Sequence, residues 1–155
     1  MRRKEREITD FNTMLEIVSK CDCLRLGFVD GDDAYIVPLN YGYEDKDGEL
    51  VIYCHGAKEG RKADLIKRNG RASFEMDTKH ELVAGDIACD YSYMYQSVIG
   101  KGNIGFVEDY EEKKHALEII MSHYSDKKDW QFSEARINAV AVIKLNVSEW
   151  TAKEH

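Results

Sequence analysis

Apolar residues Phe11, Met14, Leu15 and Val18 recur at i, i+3, i+4 and i+7 behind Asp10, a good N-cap, and predict an amphipathic helix over 10–20. From Cys23 the period changes to two. Leu24, Leu26 and Phe28 share one face, DGDD at 30–33 turns the chain, AYIVPLNYGY at 34–43 runs back, DKDG at 45–48 turns again, and ELVIYC at 49–54 returns. Asp-Gly turns between alternating runs are hairpin signals, so this half predicts an antiparallel meander.

The pattern returns to a helix over 59–69, closed by Gly70 as the expected C-cap. RASFEMDTKHELV at 71–83 and YSYMYQSVIGKGNIGFVE at 91–108 predict two longer strands. Asp109, with Glu112 at the capping-box spacing, starts a helix whose apolar stripe is Leu117, Ile120, Met121 and Tyr124. A polar loop, SDKKDWQFS, leads to a last strand, NAVAVIKLNV at 138–147. The expectation is a mainly β chain of roughly six strands and three helices, forming a small closed or split antiparallel barrel with helices at its side. No linker or repeat divides it, so residues 1–155 read as a single domain.

Composition narrows the class. The chain is 43% hydrophobic and 33% charged, as in globular proteins. It has no run of about 18 apolar residues that would cross a membrane as a helix. The N-terminus MRRKEREITD lacks the apolar core of a secretory signal, and cytoplasm is the expected compartment. A net charge of −7 argues against general affinity for nucleic acid or anionic lipid.

Several chemistries fail on spacing. Cys21 and Cys23 form C-x-C while Cys54 and Cys89 stand far off, a pattern that suits free thiols better than zinc or a redox dithiol. His80, His115 and His123 show no paired-ligand spacing, so no metal is expected. GKGNIG at 100–105 matches G-x-G-x-x-G literally, but FVED intervenes before the next helix, whereas the dinucleotide loop opens a helix directly. Those glycines are expected to let a long strand bend.

Two stretches carry more. Pro38, the only proline, lies in the strand-like IVPLNYGY. Proline cannot donate to a ladder, so it marks either an ordinary edge or a place where backbone groups of Val37, Leu39 and Asn40 face a flat ligand. In YCHGAKEGRKADLIKRN at 53–69, Arg61 and Lys62 open a helix, against the helix dipole. Free N–H groups at a helix start, a planar guanidinium and a point-charge ammonium suit a phosphate, and Gly56 and Gly60 allow close backbone approach. A solvated basic patch is the other reading. His55, at the mouth of this loop, is either a capping histidine or a ligand-facing one.

AYIVPLNYGYE, IYCHGAKEGRKADLIKRN, YQSVIGKGN and EEKKHALEIIMSHY together resemble the Nim-type nitroimidazole-resistance proteins of the pyridoxamine-phosphate-oxidase-like, flavin-binding split-barrel superfamily. The resemblance covers nearly the whole chain, and H-x-A-x-E-G-x-K after a strand is its most specific part. It implies a split barrel, FMN as cofactor and a homodimer with its two flavin sites at the interface. By that resemblance Val37, Pro38, Leu39 and Asn40 line the isoalloxazine edge. Cys54 and His55 close one side, Gly60, Arg61 and Lys62 hold the phosphate, and Ser97 approaches the flavin from below. Asn40 stands where the oxidases usually carry a basic residue, and SEWTAKEH offers no basic cluster for a vitamin B6 substrate.

The implied activity is an FMN-dependent oxidoreductase reducing a small, electron-poor substrate such as a nitroaromatic. The alternative is a non-catalytic module that binds or senses flavin, haem or another planar ligand. Trp130, Phe132 and Trp150, aromatics in polar stretches, are expected to be exposed and to contribute to a dimer interface.

Overall fold

A computed structural model describes residues 3–155; Met1 and Arg2 of the charged N-terminal stretch lie outside the described residues. After a two-residue strand β1 (Glu7–Ile8), the Asp10 carboxylate accepts the Thr13 N–H at 2.8 Å and starts α1 (Phe11–Lys20). The meander follows as β2 (Leu24–Asp30), β3 (Asp33–Leu39), β4 (Tyr41–Lys46) and β5 (Glu49–Gly56). Then come α2 (Arg61–Asn69), β6 (Arg71–Val83), β7 (Ser92–Val107), α3 (Tyr110–Tyr124), α4 (Glu134–Ala139) and β8 (Ala141–Glu154). The expected caps are present. Gly70 closes α2 in the left-handed region with its N–H bonded to Ile66 O, and the Asp109 carboxylate accepts the Glu112 N–H.

The strands form one antiparallel sheet in the order β3-β2-β6-β7-β8-β5-β4, with β1 paired to the far end of β8. It is a split barrel of eight strands rather than six, and it does not close. The two added strands have different origins. One is β1. The other arises because 34–43 is not one strand: it divides at Asn40 into β3, which pairs with β2, and β4, which pairs with β5. Consecutive strands therefore sit on opposite edges of the sheet, joined by the single residue Asn40.

Two further differences lie near the C-terminus. Residues 134–139 form α4, capped by Ser133, so the last strand begins at Ala141 and not at Asn138. It also runs through SEWTAKE to Glu154, because a strand packed on one face needs an apolar side chain only at alternate positions. Ala152 meets that need here. The GKGNIG segment lies inside β7 as expected, where pairing with β8 shifts register between Lys101 and Gly102. Among the described residues no helix is long and apolar enough to cross a membrane.

The main core lies inside the barrel, where Leu24, Leu26, Phe74, Met76, Val98 and Ile143 meet Met14, Ile17 and Val18 of α1. A smaller cluster, Val51, Tyr53, Val107, Ala116, Ile120 and Val142, lies under α3 on the outer face. With α3 outside and the core inside, β5 is buried on both faces from Leu50 to Cys54, and its sequence is accordingly an unbroken apolar run. Trp130, Phe132 and Trp150 are half-buried, not exposed, and Trp150 packs edge-on against Phe11 at 5.7 Å.

Side chains tie the seam where the barrel is split. The fully buried Tyr41 hydroxyl lies 2.5 Å from Val18 O and 2.9 Å from Cys21 O, serving carbonyls that the end of α1 leaves without helical partners. His123 donates to the same Cys21 O at 2.8 Å. The Tyr41 N–H donates to the Tyr124 hydroxyl at 3.1 Å, which in turn donates to Asp22 O at 2.9 Å. Removing the Tyr41 hydroxyl leaves Cys21 O with His123 but leaves Val18 O alone. Tyr41→Phe is therefore expected to cost about 1–3 kcal/mol of stability, read from urea unfolding; an unchanged midpoint would contradict this role.

Candidate functional site

β4 enters the sheet with Tyr41 opposite Cys54, which carries Asn40 to the neighbourhood of His55. β5 ends one residue later at Gly56, paired with Ala141, and the chain passes through residues 57–60 into α2. Gly60 is the N-cap of α2 at φ 105°, a backbone region that L side chains rarely adopt, and no side chain caps this helix start. The first N–H groups of α2 are thus free to meet an anion.

Lys62 turns back over the end of β5. A Cβ built on Gly56 would lie only 2.5 Å from Lys62 Nζ, so the glycine is what lets the ammonium lie against the backbone. Lys62 is half-buried and, among the described residues, has no ion-pair partner. Its charge reaches its neighbours. Burial first, and Lys62 second, lower the His55 pKa, which favours the neutral imidazole. Burial pushes the Cys54 thiol up to about 12, with Lys62 opposing it. The Cys54 side chain points into the core and is fully buried, which leaves only its backbone to face outward.

Arg61 points the other way. It is exposed and bound to Asp30 at the end of β2, its Nε donating to Oδ2 at 2.6 Å, while Arg68 holds the other carboxylate oxygen at 3.1 Å. Burial would raise the Asp30 pKa, but the bonds from Arg68 and Arg61 bring it below its ordinary value. Asp30 was invisible as a site residue because it sits in the DGDD turn; it fixes where Arg61 stands.

Val37, Pro38 and Leu39 lie on β3, an edge strand with β2 on one side only, and Pro38 is exposed opposite Arg25. An edge is where a ladder tolerates proline, and the outer side of β3 keeps backbone groups unpaired by any strand. Asn40, Cys54 and His55 thus meet where β4 begins, and Lys62 lies next to them over Gly56, while Val37 to Leu39 run along β3 and Arg61 stands at Asp30, at the other end of the β2–β3 hairpin. Ser97 is not among them. It sits on β7 opposite Asp77 and Lys153, with β6 and β2 between it and β3, roughly 14 Å away at the usual strand spacing.

The family model for pyridoxamine 5'-phosphate oxidase matches residues 11–154. A candidate 5-nitroimidazole antibiotic resistance protein from Bacteroides thetaiotaomicron is 33% identical, with 96% of this chain and 86% of that one covered and a TM-score of 0.83. A flavocytochrome from Azotobacter vinelandii follows at 18% identity, covering 100% of this chain and 72% of its own, with a TM-score of 0.82. A FAD and haem binding protein from Mycobacterium smegmatis has 12% identity, covering 96% and 72%, and a TM-score of 0.81. At those two lower identities the likeness shows the fold alone. No match was found among curated protein sequences. The match over nearly the whole chain and the 33% identical relative with the same fold make this chain a Nim-type member of the pyridoxamine 5'-phosphate oxidase-like family.

Proposed function

We propose that the chain binds a flavin, FMN, and acts as a homodimeric oxidoreductase on a small, flat, electron-poor substrate such as a nitroaromatic. The observation that carries this reading is Lys62, a half-buried cation without a carboxylate, lying over Gly56 at the uncapped start of α2. A flavin phosphate of roughly −1.5 to −2 charges is the group that such a place suits. Two neighbours of the same fold, the flavocytochrome and the FAD and haem binding protein, carry a flavin by their descriptions, which supports the same class of ligand here.

In this reading Lys62 and the N–H groups behind Gly60 hold the phosphate, and Arg61, steadied by Asp30, flanks it. The free edge of β3 from Val37 to Leu39 and the backbone of Asn40 receive the ring's polar edge. The bound flavin would supply the acceptance and release of reducing equivalents; the protein supplies position and electrostatics. His55, neutral and open to solvent beside Asn40, is placed to exchange a hydrogen bond with a substrate or with the ring. Cys54 contributes backbone only.

Ser97 enters the same reading through a partner. Ile36, Leu82, Tyr93 and Ile99 are between 49% and 64% exposed, more large apolar surface on β3, β6 and β7 than a single chain needs to leave open. A second copy laid on those strands would cover it and bring its own Ser97 toward the flavin. Equilibrium sedimentation at micromolar concentration is expected to give a dimer of 17.9 kDa chains; a monomer would remove the shared site.

Lys62→Ala is expected to weaken FMN binding roughly 10- to 100-fold, the worth of one charge-assisted phosphate contact, and Arg61→Ala less, because Arg61 already has Asp30. The double variant should lose its flavin on gel filtration. Full occupancy of the double variant would show that the phosphate lies elsewhere.

A further inference from the structure

A second basic site lies on the other side of the 57–60 loop. Lys58 of that loop, Lys67 of α2 and Lys113 of α3 line one cavity of about 220 Å³, walled by Phe106 and Val142. Lys67 Nζ stands 5.9 Å from the centre of the Phe106 ring. Lys113 is the unusual member. It is only 7% exposed, and neither an ion pair nor a side-chain hydrogen bond engages it among the described residues. Glu108 also lines the cavity, yet it is exposed and pairs with none of the three lysines. The stem of Lys113 is covered by its surroundings while its ammonium keeps access to solvent, with no carboxylate to meet it.

In a chain of net charge −7, three lysines converging on one cavity are an arrangement for an anion. The volume decides its size. Whole small-molecule sites occupy about 300–1,000 Å³, so this one takes a charged group and leaves the rest of the ligand outside. His55 and Gly56 pair with Val142 and Ala141 of the cavity wall, which places the cavity one loop away from the Lys62 corner.

We propose that this three-lysine cavity is a second anion site that holds a phosphate or pyrophosphate group of a nucleotide, and that Lys113 is its central binding residue. The nucleotide part rests on the flavin reading of the Lys62 corner; the anion part does not. Two sources share the chemistry: the second phosphate of a flavin dinucleotide, or the phosphates of a pyridine-nucleotide electron donor.

The test starts from the Arg61→Ala, Lys62→Ala protein, which lacks the first anion corner, and titrates it calorimetrically with inorganic pyrophosphate. Binding that weakens with added salt is expected, and adding Lys113→Met should reduce the affinity at least tenfold. Lys113→Met should unfold at about the same temperature as its parent in anion-free buffer, since methionine fills the space of the covered lysine stem. Pyrophosphate that binds equally with and without Lys113, or not at all, overturns the site.

The source is then read on the otherwise native chain. If Lys113→Met weakens FAD and spares FMN, the anion is the flavin's own. If it spares both flavins and raises the KM for NADH or NADPH at unchanged kcat, the anion is the donor's. If pyrophosphate binds through Lys113 but neither effect is seen, the nucleotide assignment is overturned. Failure of the flavin reading shows separately, as flavin binding indifferent to Arg61 and Lys62.

Discussion

The structure depends on a crossing made by one residue. β3 and β4 are neighbours in sequence but lie at opposite edges of the sheet, and Asn40 alone spans the gap between them. A chain can do this only if the two edges are drawn close, and no ladder draws them. Tyr41 does so instead, with its hydroxyl on the carbonyls ending α1 and its N–H on Tyr124 at the end of α3. Two helices far apart in sequence are thereby fastened to one strand junction, and the barrel is held nearly shut without being closed. The buried hydroxyl is well placed for the task, because leaving those carbonyls dry and unpaired is the costly alternative.

The candidate site is a by-product of that seam. Because Tyr41 sits opposite Cys54, Asn40 at the end of β3 arrives beside His55 and the end of β5. The loop from Gly56 to Gly60 then returns Lys62 over the same place. Charge placement follows a consistent logic. Arg61 and Arg68 are spent on Asp30, and Arg25 on Glu75 and Asp77, all near the surface, where such pairs contribute little to stability. Lys62 and Lys113 have cover from solvent and no carboxylate, whereas Lys144, also partly covered, is paired with Glu112.

Much of this was legible from the sequence because it is written in local terms. Asp10 and Asp109 as caps, the Asp-Gly hairpins and Gly70 as a C-cap each depend on a few adjacent residues, and each is found where it is expected. The break at Asn40 was not legible, since IVPLNYGY has strand character on both sides and only the choice of partners divides it. SEWTAKE reads as a polar tail because only Trp150 and Ala152 in it face inward. Asp30 and Lys113 escaped for the same reason: one looks like turn chemistry, the other like the charged face of EEKK, and only tertiary placement shows that one clamps Arg61 while the other is buried without a partner. Asn40 lies beside His55 through the β4–β5 register and Lys62 lies over Gly56, while Ser97 is three strands from β3.

If the Lys62 corner reads a phosphate, a pair of ligands with the same ring shows it most directly. The purified protein would be mixed with FMN or with riboflavin, gel-filtered, and its visible absorption spectrum recorded. The account predicts a flavin double band that survives filtration with FMN and is lost with riboflavin. Equal retention of both, or of neither, would contradict it.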